Sequence, residues 1–459
     1  MLVGCLALSG LSLLLLPRNI AYDPWSWLIF GREILHLDLN TRLAATSVKP
    51  LPMYIDTVLA VFGSSAAPIL WLLIARTGAL LALAVAYRLG ARLAGPVAGI
   101  VAAVGLAASN EFLAYLLVQG MSEPMTAAAV LAAVDTYLAG RRRWALGCLI
   151  AAALLRPEAW PFLLGYLLWL AWPGSWLRRA IAVVVGIAIP FSWFVIDWFG
   201  ARQLLRSAHA ATQESQGGPL LSRQPGIATI RETWHLLSAP VEILFVVGFV
   251  AALVAWRRDG RPNLSVWLGV AALGWLAVDA VLAQGRFATG AARYLLPGEA
   301  LACVVVGILV ADVVRVVRRW TPRPGASLAA VVAVWLVLAA WLVPRALETG
   351  RQLHRNVALG KLAVRFADGL PHAVALAGGR DAVMACGPVT TRSFQVPFVA
   401  WTLRLPVGDI GYIAPSTGTV FQQNLEPKVP IAERTTYHYV GSAGPAAERW
   451  TVLSTCSPG

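Results

Sequence analysis

Residues 18–62 read RNIAYDPWSWLIFGREILHLDLNTRLAATSVKPLPMYIDTVLAVF. They form a polar gap between two apolar runs, residues 1–16 and 67–87. Asp23 stands shortly after the first run, Trp25 and Trp27 lie in an amphipathic stretch, and Lys49 in Lys49-Pro50-Leu51-Pro52 is one of only three lysines in the chain. Rings with an apolar body and a polar edge belong at headgroup depth, so the gap reads as a loop lying in a membrane interface.

The rest of the composition demands the same setting. With 58% hydrophobic and 13% charged residues, the chain has too few polar side chains to cover a soluble globule. The formal charge of +14 does not indicate nucleic acid, because the arginines fall in short clusters between apolar runs rather than along one polar face. Such clusters mark the cytoplasmic ends of membrane segments.

Walking outward from the loop gives about 11 spans on the criterion of apolar runs approaching bilayer length. The first run, 1–16, is short for a span. Two half-length runs, 144–155 and 160–172, meet at Arg156-Pro157-Glu158, a proline-containing charged tip. With the amino terminus inside, Arg141 to Arg143, Arg178-Arg179, Arg257-Arg258 and Arg318-Arg319 all face the cytoplasm, as the positive-inside rule requires. The loop 18–66, Glu123, the 156–158 tip, a loop at 200–240, and Arg286 with Arg293 then share the outer face. The 200–240 segment, with its run at 213–218, reads as a mobile polar loop.

Residues 1–344 are expected to form the membrane module and 345–459 an extracytoplasmic domain, α/β or β-rich. Short β-type runs stand at 396–401 and 437–440, and Pro397 would confine the first to an edge strand or a strand start. Cys5, Cys148 and Cys303 fall in apolar runs, whereas Cys386 and Cys456 lie in the tail and are able to form a disulfide if the tail is outside.

Several of these stretches resemble the GT-C superfamily of integral membrane glycosyltransferases. The residues concerned are Tyr22-Asp23-Pro24-Trp25-Ser26-Trp27 with Gly31-Arg32-Glu33, Lys49-Pro50-Leu51-Pro52, Ser122-Glu123-Pro124 and Leu155-Arg156-Pro157-Glu158-Ala159-Trp160-Pro161. They cover roughly residues 1–170. The resemblance, which includes protein O-mannosyltransferases and actinobacterial arabinofuranosyltransferases, implies an all-α polytopic fold and a polyprenyl-phosphate-sugar donor. It also implies an inverting transfer and an acid just after the first span, the place Asp23 occupies. Many members double that acid; here Pro24 and Trp25 follow, which makes Glu123 the candidate second acid. The Trp-Trp-Asp signature of the oligosaccharyltransferases is absent from the tail.

The chemistry asks for the same residue types. Transfer from a sugar phosphate to a hydroxyl needs a base for the acceptor proton and donors for the departing phosphate. Asp23 is the candidate base, although a carboxylate before Pro-Trp also suits a helix cap. Lys49, Arg286 and Arg293 are candidate phosphate cations and Tyr294 a hydroxyl donor. Arg156 and Glu158 stand close enough on their tip to pair. Arg76, buried in a span, calls for a cavity with a carboxylate or phosphate partner, or a structural ion pair.

No metal is expected, since a monophosphate carrier needs little charge compensation and the six histidines are dispersed. No cofactor is expected beyond the lipid-linked donor. Expected partners are that donor, a glycan or lipid acceptor met through Trp401 and Tyr412 of the tail, and membrane lipids. The expected location is a bacterial cytoplasmic membrane with the site on its outer face. The competing readings are a transporter or lipid flippase, favoured by the mid-span charges Arg76, Asp135, Asp279 and Asp312, and a non-catalytic assembly factor of the same fold.

Overall fold

The structure is a computed structural model that describes all residues except 43, 45, 47, 111, 173, 214–217, 238, 262, 321–323, 426, 432–435, 446–447 and 457–459. Helices dominate. In chain order they are α1 (Leu2–Leu15), α2 (Tyr22–Leu35), α3 (Pro50–Ala60), α4 (Ala67–Ala94), α5 (Pro96–Ala107), α6 (Glu123–Leu138), α7 (Arg142–Leu155), α8 (Trp160–Ala171) and α9 (Trp176–Ala201). Then follow α10 (Arg206–Gln213), α11 (Pro225–Arg231), α12 (Thr233–Leu236), α13 (Ala239–Asp259), α14 (Leu264–Gln284), α15 (Leu296–Trp320), α16 (Pro324–Leu376), α17 (Gly379–Cys386) and α18 (Val396–Leu403).

Among the described residues, five helices are long and apolar enough to cross a membrane: Ala67–Ala94, Trp176–Ala201, Ala239–Asp259, Leu264–Gln284 and Ala292–Arg319. α1 and α5 are shorter apolar helices. Many of their side chains are large, apolar and exposed, Val183, Ile187 and Phe191 on α9 among them, the pattern of a surface solvated by lipid.

The chain divides into two compact units. The first comprises residues 1–12, 73–193 and 211–356; the second comprises 13–72, 194–210 and 357–459. In the first unit α15 packs against α5, α6, α13 and α14. Small residues permit this, since Gly307 of α15 lies against the backbone of Ala98 on α5. The 200–240 segment is not the open loop its composition suggests. Its portion in this unit folds into short helices, and α11, begun by Pro225, packs on α14 where Gly226 N donates to Gln284 Oε1 at 3.1 Å. Proline at the first turn of a helix sacrifices no bond, so the prolines that read as loop markers start turns here. Residues 214–217 of the 213–218 run lie outside the described residues.

In the second unit α2 and α3 pack together so closely that a Cβ on Gly31 would come within 2.5 Å of the Asp56 backbone. α18 packs on α2. A small five-stranded sheet has the order β2-β1-β3-β5-β4, with β1 (Val389–Thr390), β2 (Ile410–Gly411), β3 (Thr419–Gln423), β4 (His438–Ala443) and β5 (Trp450–Ser454). β1 runs parallel to β2 and β3, and β5 pairs antiparallel with β3 and β4. Trp450, wholly buried, donates its Nε1 to Phe366 O of α16 at 2.7 Å. A disulfide joins Cys386, at the end of α17, to Cys456 beyond β5.

β4 lies where the second β-type run was read. The first run, 396–401, is helical instead: it forms α18, with Pro397 in its first turn. Eight residues without a charge carry no period that separates strand from helix, and the proline that would mark a strand edge serves equally as a helix start.

Candidate functional site

In the second unit, Asp23 sits half-buried in the first turn of α2, where the unpaired amide groups and the helix dipole favour a carboxylate. Lys49 is the residue before α3, with Pro50 and Pro52 starting that helix. It is 5% exposed, and its Nζ lies 4.8 Å from the centroid of the Trp27 ring. That ring is itself held edge-on by Trp71, at 5.8 Å.

A chain of hydrogen bonds fixes the segment that carries the lysine. Ser26 Oγ accepts from Thr46 Oγ1 at 2.9 Å, and Thr46 O accepts from Arg206 Nη1 at 2.7 Å. Val48 N donates to Ser207 Oγ at 3.0 Å, and Ser207 Oγ donates to Asp197 Oδ1 at 2.6 Å. Thr46 and Val48, just before Lys49, are therefore held to α2 on one hand and to the α9–α10 corner on the other.

Two further acids of this unit are buried. Asp56 of α3 is 0% exposed, among the described residues no donor reaches either of its oxygens, and burial raises its carboxyl well above the ordinary range. Glu33 of α2 accepts from Asn40 N, at 3.0 Å through Oε2, and burial pushes it up to about 8 against the pull of that bond and of Arg32. Asp56 is absent from the sequence-derived candidates. The signal was available, because Met53, Asp56 and Leu59 follow one another at helical spacing and share one buried face.

Trp401 is engaged by α2. Arg32 lies over its ring at 5.0 Å and donates to its carbonyl oxygen at 3.4 Å, and Trp25 packs at 5.5 Å between ring centroids. Tyr412 is exposed.

The first unit gathers five of the candidates. Arg156, 4% exposed, forks onto the fully buried Glu158, with Nε to Oε2 at 3.0 Å and Nη2 to Oε1 at 2.5 Å. Its guanidinium stacks over Tyr294 at 3.5 Å from the ring centroid. Glu123, in the first turn of α6, places Oε1 at 3.7 Å from Arg156 Nη1 and 3.8 Å from Arg293 Nε. Tyr294 O accepts from Trp275 Nε1 at 2.9 Å, which ties the cluster to α14. Asp279 of α14 is wholly buried, and among the described residues neither of its carboxylate oxygens has a hydrogen-bond partner.

Of the two cations Arg156 uses its fork on Glu158, while the Arg293 side chain keeps 25% exposure. The cluster thus offers an outside anion one accessible guanidinium backed by a rigid charged layer. Arg286 is exposed on the turn after α14, with a left-handed backbone at φ 59°.

Arg76 is wholly buried and donates to neutral acceptors, with Nη1 to Ser12 O at 3.1 Å and Nη2 to Val118 O at 2.8 Å. Val118 follows the π-helical turn Phe112–Leu117, so Arg76 braces the approach to α6 and Glu123. The remaining mid-span acids have local partners: Asp135 pairs with Arg88 at 3.1 Å and Arg92 at 3.0 Å, and Asp312 pairs with Arg315.

No family model and no curated protein matches the sequence. Solved structures do. ArnT from Cupriavidus metallidurans bound to undecaprenyl phosphate aligns over 99% of this chain and 98% of its own, with a TM-score of 0.52 and 14% identity. The same protein in its apo state aligns over the same shares with a TM-score of 0.50 and 13% identity. The archaeal oligosaccharyltransferase AglB from Archaeoglobus fulgidus aligns over 92% of this chain and 69% of its own, with a TM-score of 0.49 and 13% identity. The chain is a multi-pass membrane protein with the GT-C fold.

Proposed function

We propose that the protein transfers a sugar from a polyprenyl-phosphate carrier to a hydroxyl of a glycan or lipid acceptor. The observation that carries this reading is Lys49, a buried cation stapled in place within the same unit that presents Asp23 at a helix start. A fold shared along nearly the whole chain with ArnT, solved with undecaprenyl phosphate, supports it.

In the proposed reaction Asp23 takes the proton of the acceptor hydroxyl as its oxygen attacks the anomeric carbon. The bond from that carbon to the phosphate oxygen breaks, the electron pair leaves with the phosphate, and the configuration inverts. Lys49 bears the charge that develops on the leaving phosphate. Within the first unit, taken by itself, Arg293, with Tyr294 and the Arg156–Glu158 pair behind it, is a proposed anion-binding group, and Arg286 a peripheral cation. Glu123 remains the proposed second acid, and it also balances the two guanidinium groups it faces. Arg76 supports that acid through Val118. An arabinofuranosyl or mannosyl donor suits the reading. So does an active site on the outer face of a bacterial cytoplasmic membrane, given the arginine clusters at the opposite span ends.

The test is turnover of polyprenyl-phosphate-arabinose and polyprenyl-phosphate-mannose by purified protein with membrane glycan acceptors. Asp23→Asn is expected to lose about 10²- to 10⁴-fold, the usual worth of general base catalysis. Equal turnover by both proteins removes Asp23 as the base. Carrier movement across vesicles without sugar transfer, abolished by the same substitution, would establish transport instead.

A further inference from the structure

The first unit also contains a feature outside the proposed chemistry. An apolar cavity of about 630 Å³ lies among α6, α7, α8 and α14, with Val134, Leu149, Phe162 and Leu268 in its walls. Toward the end of α8 it is bounded by three rings, Tyr137, Tyr166 and Trp169, whose centroids are 5.5 to 6.2 Å apart.

Trp169 is shared with a second hollow of about 440 Å³, lined also by Arg142 and Trp172. The Arg142 guanidinium lies 5.0 Å from the Trp169 ring centroid, and Tyr166 Oη donates to Arg142 O at 3.1 Å. Arg141 and Arg143 flank it, and all three arginines are exposed. Among the described residues no carboxylate pairs with any of them; the nearby Asp135 is taken by Arg88 and Arg92.

We propose that these two hollows, which share Trp169 as a wall, bind one anionic phospholipid, its phosphate on Arg142 and the flanking arginines and one acyl chain in the apolar cavity. The site places the two chemistries of such a lipid side by side, a basic aromatic hollow and an apolar cavity on either side of Trp169. Basic pockets between membrane helices hold acidic headgroups, and a guanidinium kept over an indole face is oriented before the phosphate arrives.

The lengths of the neighbouring helices supply the reason for a cavity here. α7 has 14 residues and α8 has 12, short of the roughly 20 needed to cross the hydrocarbon core. A half-length pair leaves volume at hydrocarbon depth that protein does not fill. An acyl chain fills it without needing any hydrogen bond.

The experiment is native mass spectrometry of the purified full chain with phosphatidylglycerol or with phosphatidylcholine of the same acyl chains. One retained phosphatidylglycerol is expected, in preference to phosphatidylcholine. Arg142→Gln should weaken its retention about fivefold, the worth of one arginine near an anionic surface, and leave phosphatidylcholine unchanged. Gly165 lines the cavity, and a Cβ placed there meets nothing within 4 Å. Gly165→Leu should therefore occupy part of the chamber and weaken retention of the lipid, with an unfolding temperature unchanged or higher because glycine weakens a helix.

Equal retention of the two lipids, or phosphatidylglycerol retention untouched by both substitutions, overturns the proposal. So does competition by inorganic phosphate alone, which would mark a simple ion site. Displacement by polyprenyl phosphate, itself weakened in Gly165→Leu, also overturns it by making the chamber the carrier's own tail groove.

Discussion

Arg156 and Glu158 form a two-point ion pair across a single proline, with Nε to Oε2 at 3.0 Å and Nη2 to Oε1 at 2.5 Å, and both residues are almost wholly buried. Breaking such a pair from one side strands a charge, whereas replacing both partners by apolar groups does not. Glu158→Gln is therefore expected to cost about 3–5 kcal/mol, and Arg156→Met combined with Glu158→Leu much less. Thermal unfolding in detergent measures both, and an unchanged midpoint for Glu158→Gln would show that the pair is not formed.

Ser207 joins two elements through one hydroxyl, donating to Asp197 and accepting from Val48 N. Ser207→Ala leaves both without that partner, at about 1–3 kcal/mol for a buried group unsatisfied. Because Val48 precedes Lys49, the substitution is also expected to raise the KM for the lipid carrier more than it lowers kcat. A loss of stability with unchanged kinetics would limit Ser207 to a structural role.

Glu33 supplies a pH dependence whose sign follows from burial. Its carboxyl is raised from an ordinary value of 4.5 to about 8, so between those values the folded protein holds a proton the unfolded chain has released. Stability should therefore fall as pH rises through that window and level off above it. The buried Asp56 carboxyl, also raised, adds in the same direction. Glu33→Gln should flatten the profile, and unfolding midpoints of the two proteins from pH 5 to 9 decide it; parallel profiles would be the contrary result.

The Cys386–Cys456 disulfide closes a segment with a sequence separation of 70 residues and ties the end of the chain to α17. Replacing both cysteines by serine is expected to cost about 2–5 kcal/mol. The loss should show as earlier proteolysis of the tail, and reductant should reproduce it in the unaltered protein. Equal proteolysis rates would mean that the sheet holds without the bridge.

The sequence by itself determined the solvent and the broad architecture of this protein. Apolar runs with arginines at their ends call for a membrane, so a helical multi-pass architecture follows from hydrophobicity and charge alone. Arg156 and Glu158 were legible for a related reason, since they are two residues apart on a proline tip and a local chain path suffices to pair them.

What required the tertiary structure is whatever depends on elements distant in sequence. Glu123, Arg156 and Arg293 converge only because α6, the tip after α7 and the turn before α15 are packed in one unit. Asp197 and Ser207 have no local sign that they hold the segment carrying Lys49. α18 became a helix, not an edge strand, in a stretch where eight uncharged residues left both periods open. Hydrophobic pattern specifies which face of an element is buried, but the partner that buries it is chosen by close packing among many such faces, and no single stretch of sequence contains that choice.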